Sequence, residues 1–340
     1  MNRIIFTFFL LIMFSACKKS EDVIPEVEEV PNMTVSVAKL TDTPDDLSTE
    51  GDATYSLLGY GYDITNKYAS KTSVRASVID VPLFVANNYN GAFSQGWGTQ
   101  GFPVILNATS AADFSNQLSS KYDETKGLTV FKSTITSAFP ESDVQSKKYG
   151  YGYFSGVFRA RHLRLDAEKV GNNLSSVFTT DLKNLSPEQL VKKYGTHILM
   201  RIQLGSRINI LYQAEVADGP DKILAVKQGL DYSIRRVFGF SPGFLPSVDA
   251  KAINLNSSVK LRYEVIGGDP RKIKELTIAG RTMVDFNEWN SSVSPENYKF
   301  IDFDTNGLKP LSDIIADGAK KALVQAYIKN YIAENQVKTN

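Results

Sequence analysis

The chain has 340 residues, 42% of them hydrophobic, and a formal net charge of +1. That length accommodates two domains or one large mixed domain, and the apolar share is enough for a sizeable core. A near-neutral charge without a long basic run argues against a nucleic-acid partner.

At the N-terminus, Asn2-Arg3 precedes an apolar run over residues 4–14, too short to span a bilayer and patterned like a signal peptide. The run ends in Phe14-Ser15-Ala16-Cys17, and Cys17 is the only cysteine of the chain. Small residues before a lone cysteine resemble a bacterial lipobox, with Phe14 in place of the usual Leu. On that reading residues 1–16 are a lipoprotein signal peptide and Cys17 becomes the acylated first residue; an ordinary secretory signal is the alternative. Two or more acyl chains anchor stably, because each buried CH2 contributes about 0.8 kcal/mol. No other thiol remains, so the fold must hold without disulfides. Residues 17–50 are expected to form a lipidated, acidic tether and a polar arm, and 51–340 one domain. The order Lys18-Lys19-Ser20-Glu21-Asp22 resembles the surface-export signal of Bacteroidetes lipoproteins, although a solvated linker has the same composition.

Leu57-Leu58-Gly59-Tyr60-Gly61-Tyr62-Asp63 opens the folded part with a turn signal. The β-branched stretch 72–84 predicts a strand that Pro82 finishes. Between residues 107 and 148 the period changes. Phe114, Leu118 and Tyr122 are spaced by four, as are Phe131, Ile135 and Phe139, behind Leu128. The spacing predicts two amphipathic helices, with Asp113 and Ser119 on wet faces and Pro140 ending the second. Residues 151–165 read as a strand, with Gly150, Gly152 and Gly156 permitting twist or close backbone approach.

Ser186-Pro187-Glu188-Gln189 is a helix start with Pro at the first position, and Leu190, Val191 and Tyr194 would face inward. Tyr194-Gly195-Thr196-His197 follows. From there Met200, Ile202, Leu204, Ile208, Ile210 and Tyr212 alternate with Arg201, Gln203, Arg207, Asn209, Gln213 and Glu215. That is a long strand with one buried face, interrupted at Gly205-Ser206 where it can bend.

Residues 218–221, Asp-Gly-Pro-Asp, mark a turn and helix start. The next stretch fits two periods. Ile223, Val226, Leu230, Ile234 and Val237 have helical spacing. Leu224, Val226, Leu230, Tyr232, Ile234, Phe238 and Phe240 share one strand parity, broken by Gln228 and Arg236, while small and polar residues fill the other. The run is long enough for a membrane strand of about 9–11 residues; a plain surface helix is the alternative. Residues 257–266 alternate cleanly and stop at Gly267-Gly268-Asp269-Pro270, a strong turn. Phe286-Asn287-Glu288-Trp289 and Pro310-Leu311 follow. A last helix carries Ala322, Leu323, Ala326, Tyr327 and Tyr331.

A helix, then Tyr-Gly-Thr-His, a spacer and a Gly-Ser pair resemble the signature of the membrane attack complex/perforin (MACPF) family, which usually has Gly-Gly. The opening at residues 57–63, the Gly267-Gly268 strand end, the Trp289 segment and the Pro310 helix start fall where that family has its counterparts. The resemblance covers about residues 56–335. It implies an α+β fold: a bent, twisted four-stranded antiparallel sheet flanked by two clusters of helices. It further implies that those clusters, here about residues 107–148 and 220–252, uncoil into membrane hairpins once subunits assemble in an arc or ring. The partners would then be the lipid membrane of a target cell and further copies of the chain, with the receptor unspecified and no nucleic acid. The lipobox and export-signal readings place the protein at the outer membrane, on the cell surface or released from it. Competing bacteria are the expected targets, host cells the alternative. A non-lytic adhesion or binding protein on the same scaffold is the second reading.

Chemistry is sparse. With two histidines and Cys17 committed to lipid, a zinc site or thiol nucleophile lacks residues, and no cofactor is expected. His197 is read as structural, packed between helix and strand. Asp302, Asp304, Asn306 and Gly307 fit the first half of a calcium loop, with Asp313 at its twelfth place. Lys309 and the short Asp313 depart from it, so an Asx-rich turn is the leading reading and calcium the weaker one.

Overall fold

The computed structural model describes residues 33, 35–41, 51–88, 91–242, 249–278 and 280–339. The expectations for the signal peptide, for Cys17 and for most of the tether lie outside them. Strand β1 (Val35–Lys39) comes first, followed by β2 (Tyr60–Tyr62), β3 (Val74–Ser77) and helix α1 (Val81–Asn87). Long strands β4 (Phe93–Ala108) and β5 (Tyr149–Leu165) bracket the short helices α2 (Ala111–Ser119), α3 (Ser133–Thr136) and α4 (Glu141–Val144). Helices α5 (Ser176–Asn184) and α6 (Pro187–Tyr194) feed β6 (His197–Leu199) and β7 (Arg201–Glu215). Helices α7 (Lys222–Phe238) and α8 (Ala250–Asn254) precede β8 (Ser257–Ile266). A hairpin of β9 (Lys274–Ile278) and β10 (Arg281–Asp285), then α9 (Asn287–Asn290), β11 (Lys299–Phe303), β12 (Leu308–Pro310) and α10 (Gly318–Glu334) complete the order.

Strands β4, β5, β7 and β8 form the expected antiparallel sheet, in the order β8-β7-β5-β4. Two strands extend it. β1 lies parallel on the outer edge of β8, from Val35↔Val259 to Lys39↔Tyr263, so part of the expected arm belongs to the sheet. β11 takes over beside β7 where β8 ends, from Lys299↔Gly205 to Phe303↔Ile202. The pairing slips between Trp97 and Gln100 and again between Arg159 and Arg161, opposite Gly205. Bulges in line across neighbouring strands bend a sheet. A Cβ on Gly205 would stand 2.0 Å from the Phe158 carbonyl oxygen, so only glycine lets the strands approach there.

Apolar side chains cover both sheet faces. One core joins Tyr151, Tyr153 and Leu211 to Phe114, Leu118, Phe131 and Ile135 of the first connection, and continues under α5, α6 and α10. The other joins Phe154, Ile210, Tyr212, Leu261 and Tyr263 to Val226, Leu230, Ile234 and Phe238 of α7.

Several expectations are corrected. The polar face of β7 is buried too: Arg207, Asn209 and Gln213 are covered. A side-chain network takes most of their polar atoms, leaving Arg207 Nε and Gln213 Oε1 without a partner among the described residues. Asn209 Oδ1 accepts from Tyr153 (2.7 Å) and Ser155 (2.8 Å), and its Nδ2 donates to Glu264 (2.7 Å). Glu264 is ion-paired with buried Lys67, and Arg207 donates to the carbonyls of Ile301 and Ala69. Pro82 starts helix α1 instead of ending a strand, because its missing N–H costs nothing in a first turn. In the first connection α2 forms, but the second expected helix shrinks to α3, and α4 starts beyond the Pro140 at which that helix was expected to end. Phe131 adopts φ +60°, and Pro140 caps α4. Ser119 is buried and accepts from the Val130 amide. In α10 the inward stripe is Val324 and Ile328, while Leu323 is 60% exposed.

Candidate functional site

Ala108, the last residue of β4, pairs with Tyr151, and Tyr149, the first of β5, pairs with Glu215, the last of β7. Glu215 in turn pairs with Ser257, the first of β8. All four strands therefore reach the same end of the sheet, and both helical connections leave from it. Each connection joins two strands that are already antiparallel neighbours.

The second connection is dominated by α7. It is not a surface helix. Val226, Leu230, Tyr232, Ile234 and Phe238 are buried, Phe240 is half-buried, and only Leu224 of the proposed membrane-facing set is substantially open, at 39%. Glycines set its depth. A Cβ on Gly150 would lie 2.3 Å from Val226 Cγ2, and one on Gly152 would lie 3.0 Å from Leu230 Cδ2. From the helix side, a Cβ on Gly229 would meet the Tyr212 hydroxyl at 2.2 Å. Two polar clamps hold the seat. The Tyr212 hydroxyl donates to Asn256 Oδ1 (2.8 Å), and Asn256 Nδ2 donates to the carbonyls of Ala225, Ala252 and Ile253. Lys222 donates to the Lys147 carbonyl and to Asp218, tying the start of α7 to the chain entering β5. Burial pushes the Tyr212 hydroxyl far above the usual phenol range. Asp231 is buried and bound to Arg235 Nε at 2.6 Å.

Tyr194, Gly195, Thr196 and His197 form a joint. A capping box closes the start of α6, with Ser186 and Gln189 exchanging bonds and Pro187 in the first turn. Gly195 ends the helix at φ +73°. A Cβ there would be 2.6 Å from the Tyr62 carbonyl, and a Cβ on Gly61 would overlap the Tyr194 carbonyl at 1.8 Å. The opening segment and the Tyr-Gly-Thr-His segment thus interlock backbone to backbone. Tyr194 donates to Asp181, and Thr196 Oγ1 accepts from Ile64 N (3.2 Å) and donates to Tyr62 O (3.3 Å). His197 Nδ1 lies 3.0 Å from Thr196 Oγ1. Burial lowers the His197 pKa to about 4, with only Asp313 acting against it.

Gly205 sits at the bend, and Ser206 beside it is buried. Gly267 and Gly268 both have positive φ, and the Gly267 carbonyl accepts from Trp289 Nε1 at 2.9 Å. The donors already in place at residues 302–313 favour the Asx-rich turn over the calcium reading. Asp302 Oδ1 accepts from Tyr68 (2.6 Å), Tyr122 (2.8 Å) and its neighbour's amide; Asp304 is held by Gln203 (2.7 Å) and Arg164 (2.9 Å). Asp313 is 3.4 Å from Lys321, on a separate helical turn. The segment is an Asx-rich turn between β11 and β12 and does not cap a helix.

Asn256, Gly229 and Lys222 carry the seating of α7 and were not marked by the sequence. A lone Asn before an alternating run is indistinguishable from a loop residue until its three partners are known.

The family model for the MAC/Perforin domain matches residues 48–340. Among solved structures, a MAC/Perforin-domain protein from Bacteroides thetaiotaomicron VPI-5482 superposes with a TM-score of 0.64 at 17% identity, covering 84% of this chain and 63% of that one. GNIP1Aa from Chromobacterium piscinae superposes at 0.63 with 14% identity, over 87% and 59%. This chain therefore spans about six-tenths of the length of each, and at these identities the likeness is one of fold. No curated protein matches.

Proposed function

Because the chain belongs to the MAC/Perforin family, we propose that it is a surface-anchored lipoprotein that assembles with further copies and opens pores in target membranes. Residues 107–148 and 220–252 are the segments that insert. The observation that carries this is the common exit of both connections from one end of the sheet. Unwinding either one lengthens two strands already in register, and no strand has to change neighbours. Each connection holds roughly 40 residues, and two membrane strands of about 9–11 residues need only about half of that. The strand parity of Leu224, Val226, Leu230, Tyr232, Ile234, Phe238 and Phe240 would put an apolar stripe against acyl chains. A lone hairpin cannot enter lipid with unpaired edges, since each unsatisfied backbone group costs several kcal/mol. Assembly therefore has to accompany insertion. Competing bacteria are the proposed targets, and Cys17 the proposed anchor.

A disulfide lock tests the reading. In a Cys17→Ala background, Gly150→Cys with Val226→Cys puts a new Cβ on residue 150 at 3.7 Å from Cβ of residue 226, within the usual disulfide span of about 3.5–4.5 Å. The double change also removes the methyl that would clash. The oxidised protein should leave dye-loaded vesicles of bacterial lipid intact, and reductant should restore leakage. Leakage that persists with the bond verified by mass spectrometry would sink the proposal for α7. A reduced protein that leaks no membrane would leave the adhesion reading in its place.

A further inference from the structure

A cavity of about 440 Å³ lies at the other end of the sheet, between β5, β7 and the turn after β11. Its wall carries four cationic side chains, Lys121, Arg159, Arg164 and Arg201, against two carboxylates, Asp302 and Asp304. The carboxylates are occupied. Asp302 Oδ1 takes two tyrosine hydroxyls and an amide, and Asp304 takes Gln203 and Arg164. The cations are less well provided for. Arg159 Nε donates to Gln203, but Lys121 and Arg201 have no side-chain hydrogen bond or ion pair among the described residues. Arg164 Nε is buried without a partner. Lys121 and Arg201 are half-buried without an ion pair among the described residues, which is unfavourable, and neither packing nor the pore reading calls for them beside this hollow.

We propose that this cavity binds a doubly charged phosphate group carried on a larger molecule. Two surplus positive charges match a dianion, and planar guanidinium forks suit tetrahedral oxygens. The open hollow leaves room beyond a bare phosphate, so it accepts the group on a carrier, either a lipid headgroup or a soluble phosphomonoester. The surrounding electrostatics agree with the geometry. Burial lowers the Lys121 pKa, Asp302 raises it and Arg207 lowers it further. His162, paired across the strands with Gln203 of the lining, is lowered first by burial, then by Arg164 and Arg159, with Asp304 opposing. Lys121 belongs to the first connection, so a bound dianion would fasten that connection to the arginines of β5 and β7.

The soluble, membrane-free protein suffices for the test, which stands apart from leakage. His162 and His197 are the only histidines, so their ring signals are readily told apart by NMR. Sulfate, which stays doubly charged across the titration, should raise the His162 midpoint by at least half a unit relative to chloride at equal ionic strength. Inorganic phosphate should raise the melting temperature saturably. Lys121→Gln and Arg201→Gln, melting normally without the anion, should each weaken phosphate binding about tenfold. Vesicles containing phosphatidic acid, compared with neutral vesicles and with glycerol 3-phosphate, assign the carrier as lipid or soluble. An unmoved His162 midpoint and melting temperature, or binding that survives both substitutions, overturns the site.

Discussion

His197 shows how a residue that looks like chemistry can be architecture. Its ring is enclosed at the joint between α6, β6 and the opening segment, and burial holds its pKa near 4 against about 6.5 in the unfolded chain. The unfolded state therefore binds the extra proton first as pH falls. The contribution is complete above about pH 6.5 and is lost progressively toward pH 4, an order-of-magnitude effect of about 3 kcal/mol. Urea midpoints taken from pH 7 to pH 4 should fall more steeply for the wild type than for His197→Gln, and equal slopes would contradict the assignment. Asn256 makes the converse point. Replacing it with Ala strands the Tyr212 hydroxyl and frees three carbonyls, a loss of about 1–3 kcal/mol. Hydrogen exchange should then rise in α7 before it rises in β5 or β7. The Tyr-Gly-Thr-His joint was legible because its cap, Pro and Gly lie within a dozen residues of one another. Asn256 was not, because its partners arrive from β7, α7 and α8.

At the level of elements, α7 is a helix whose sequence also carries a strand pattern, and the fold uses the first. Val226, Leu230, Ile234 and Phe238 serve both periods, which is why the residues alone left the choice open. Single cysteines from 224 to 240 with an environment-sensitive dye should report helical spacing in solution. On membranes that leak they should alternate residue by residue, and unchanged helical spacing there would rule out insertion as strand. Gly229 marks the tightest approach of helix to sheet. Gly229→Ala gains about 1 kcal/mol of helix propensity but drives a methyl into the Tyr212 hydroxyl, an overpacking cost of about 1–3 kcal/mol. We expect a lower melting temperature and an easier release of α7, read as faster leakage. The first connection was read as two helices because Phe131, Ile135 and Phe139 keep a helical interval. In the fold only residues 133–136 of that interval are helical: Phe131 is left-handed, and Pro140, just past Phe139, caps α4.

On the scale of the molecule, β7 and β8 were legible from alternation, β8 with its expected bounds, and β5 from its aromatics and glycines. Strand β4, over Phe93–Ala108, was not read from the residues, because its Gly, Gln and Pro interrupt any apolar period. The buried polar face of β7 was not legible either, since a side chain facing water and one facing Lys67–Glu264 and Tyr153 have the same polarity in a sequence. Nor was β1. Five residues hold too little pattern to announce a strand, and its partner lies more than 200 positions away. Yet β1 occupies the one edge of β8 that a newcomer could use, with Leu40 N bonded to Tyr263 O (2.7 Å) and Lys39 Nζ to Pro270 O (2.9 Å). A segment joined to its own docking edge competes at an effective concentration in the millimolar range for a short linker. Any second copy arriving at β8 bids against that figure, so the arm sets a threshold in mass-action terms. Shortening the chain to begin at residue 42 should lower the concentration at which copies associate in sedimentation by at least about tenfold. Cleavage in the stretch between 41 and 51 would do the same in one irreversible step, turning a local concentration into a bulk one.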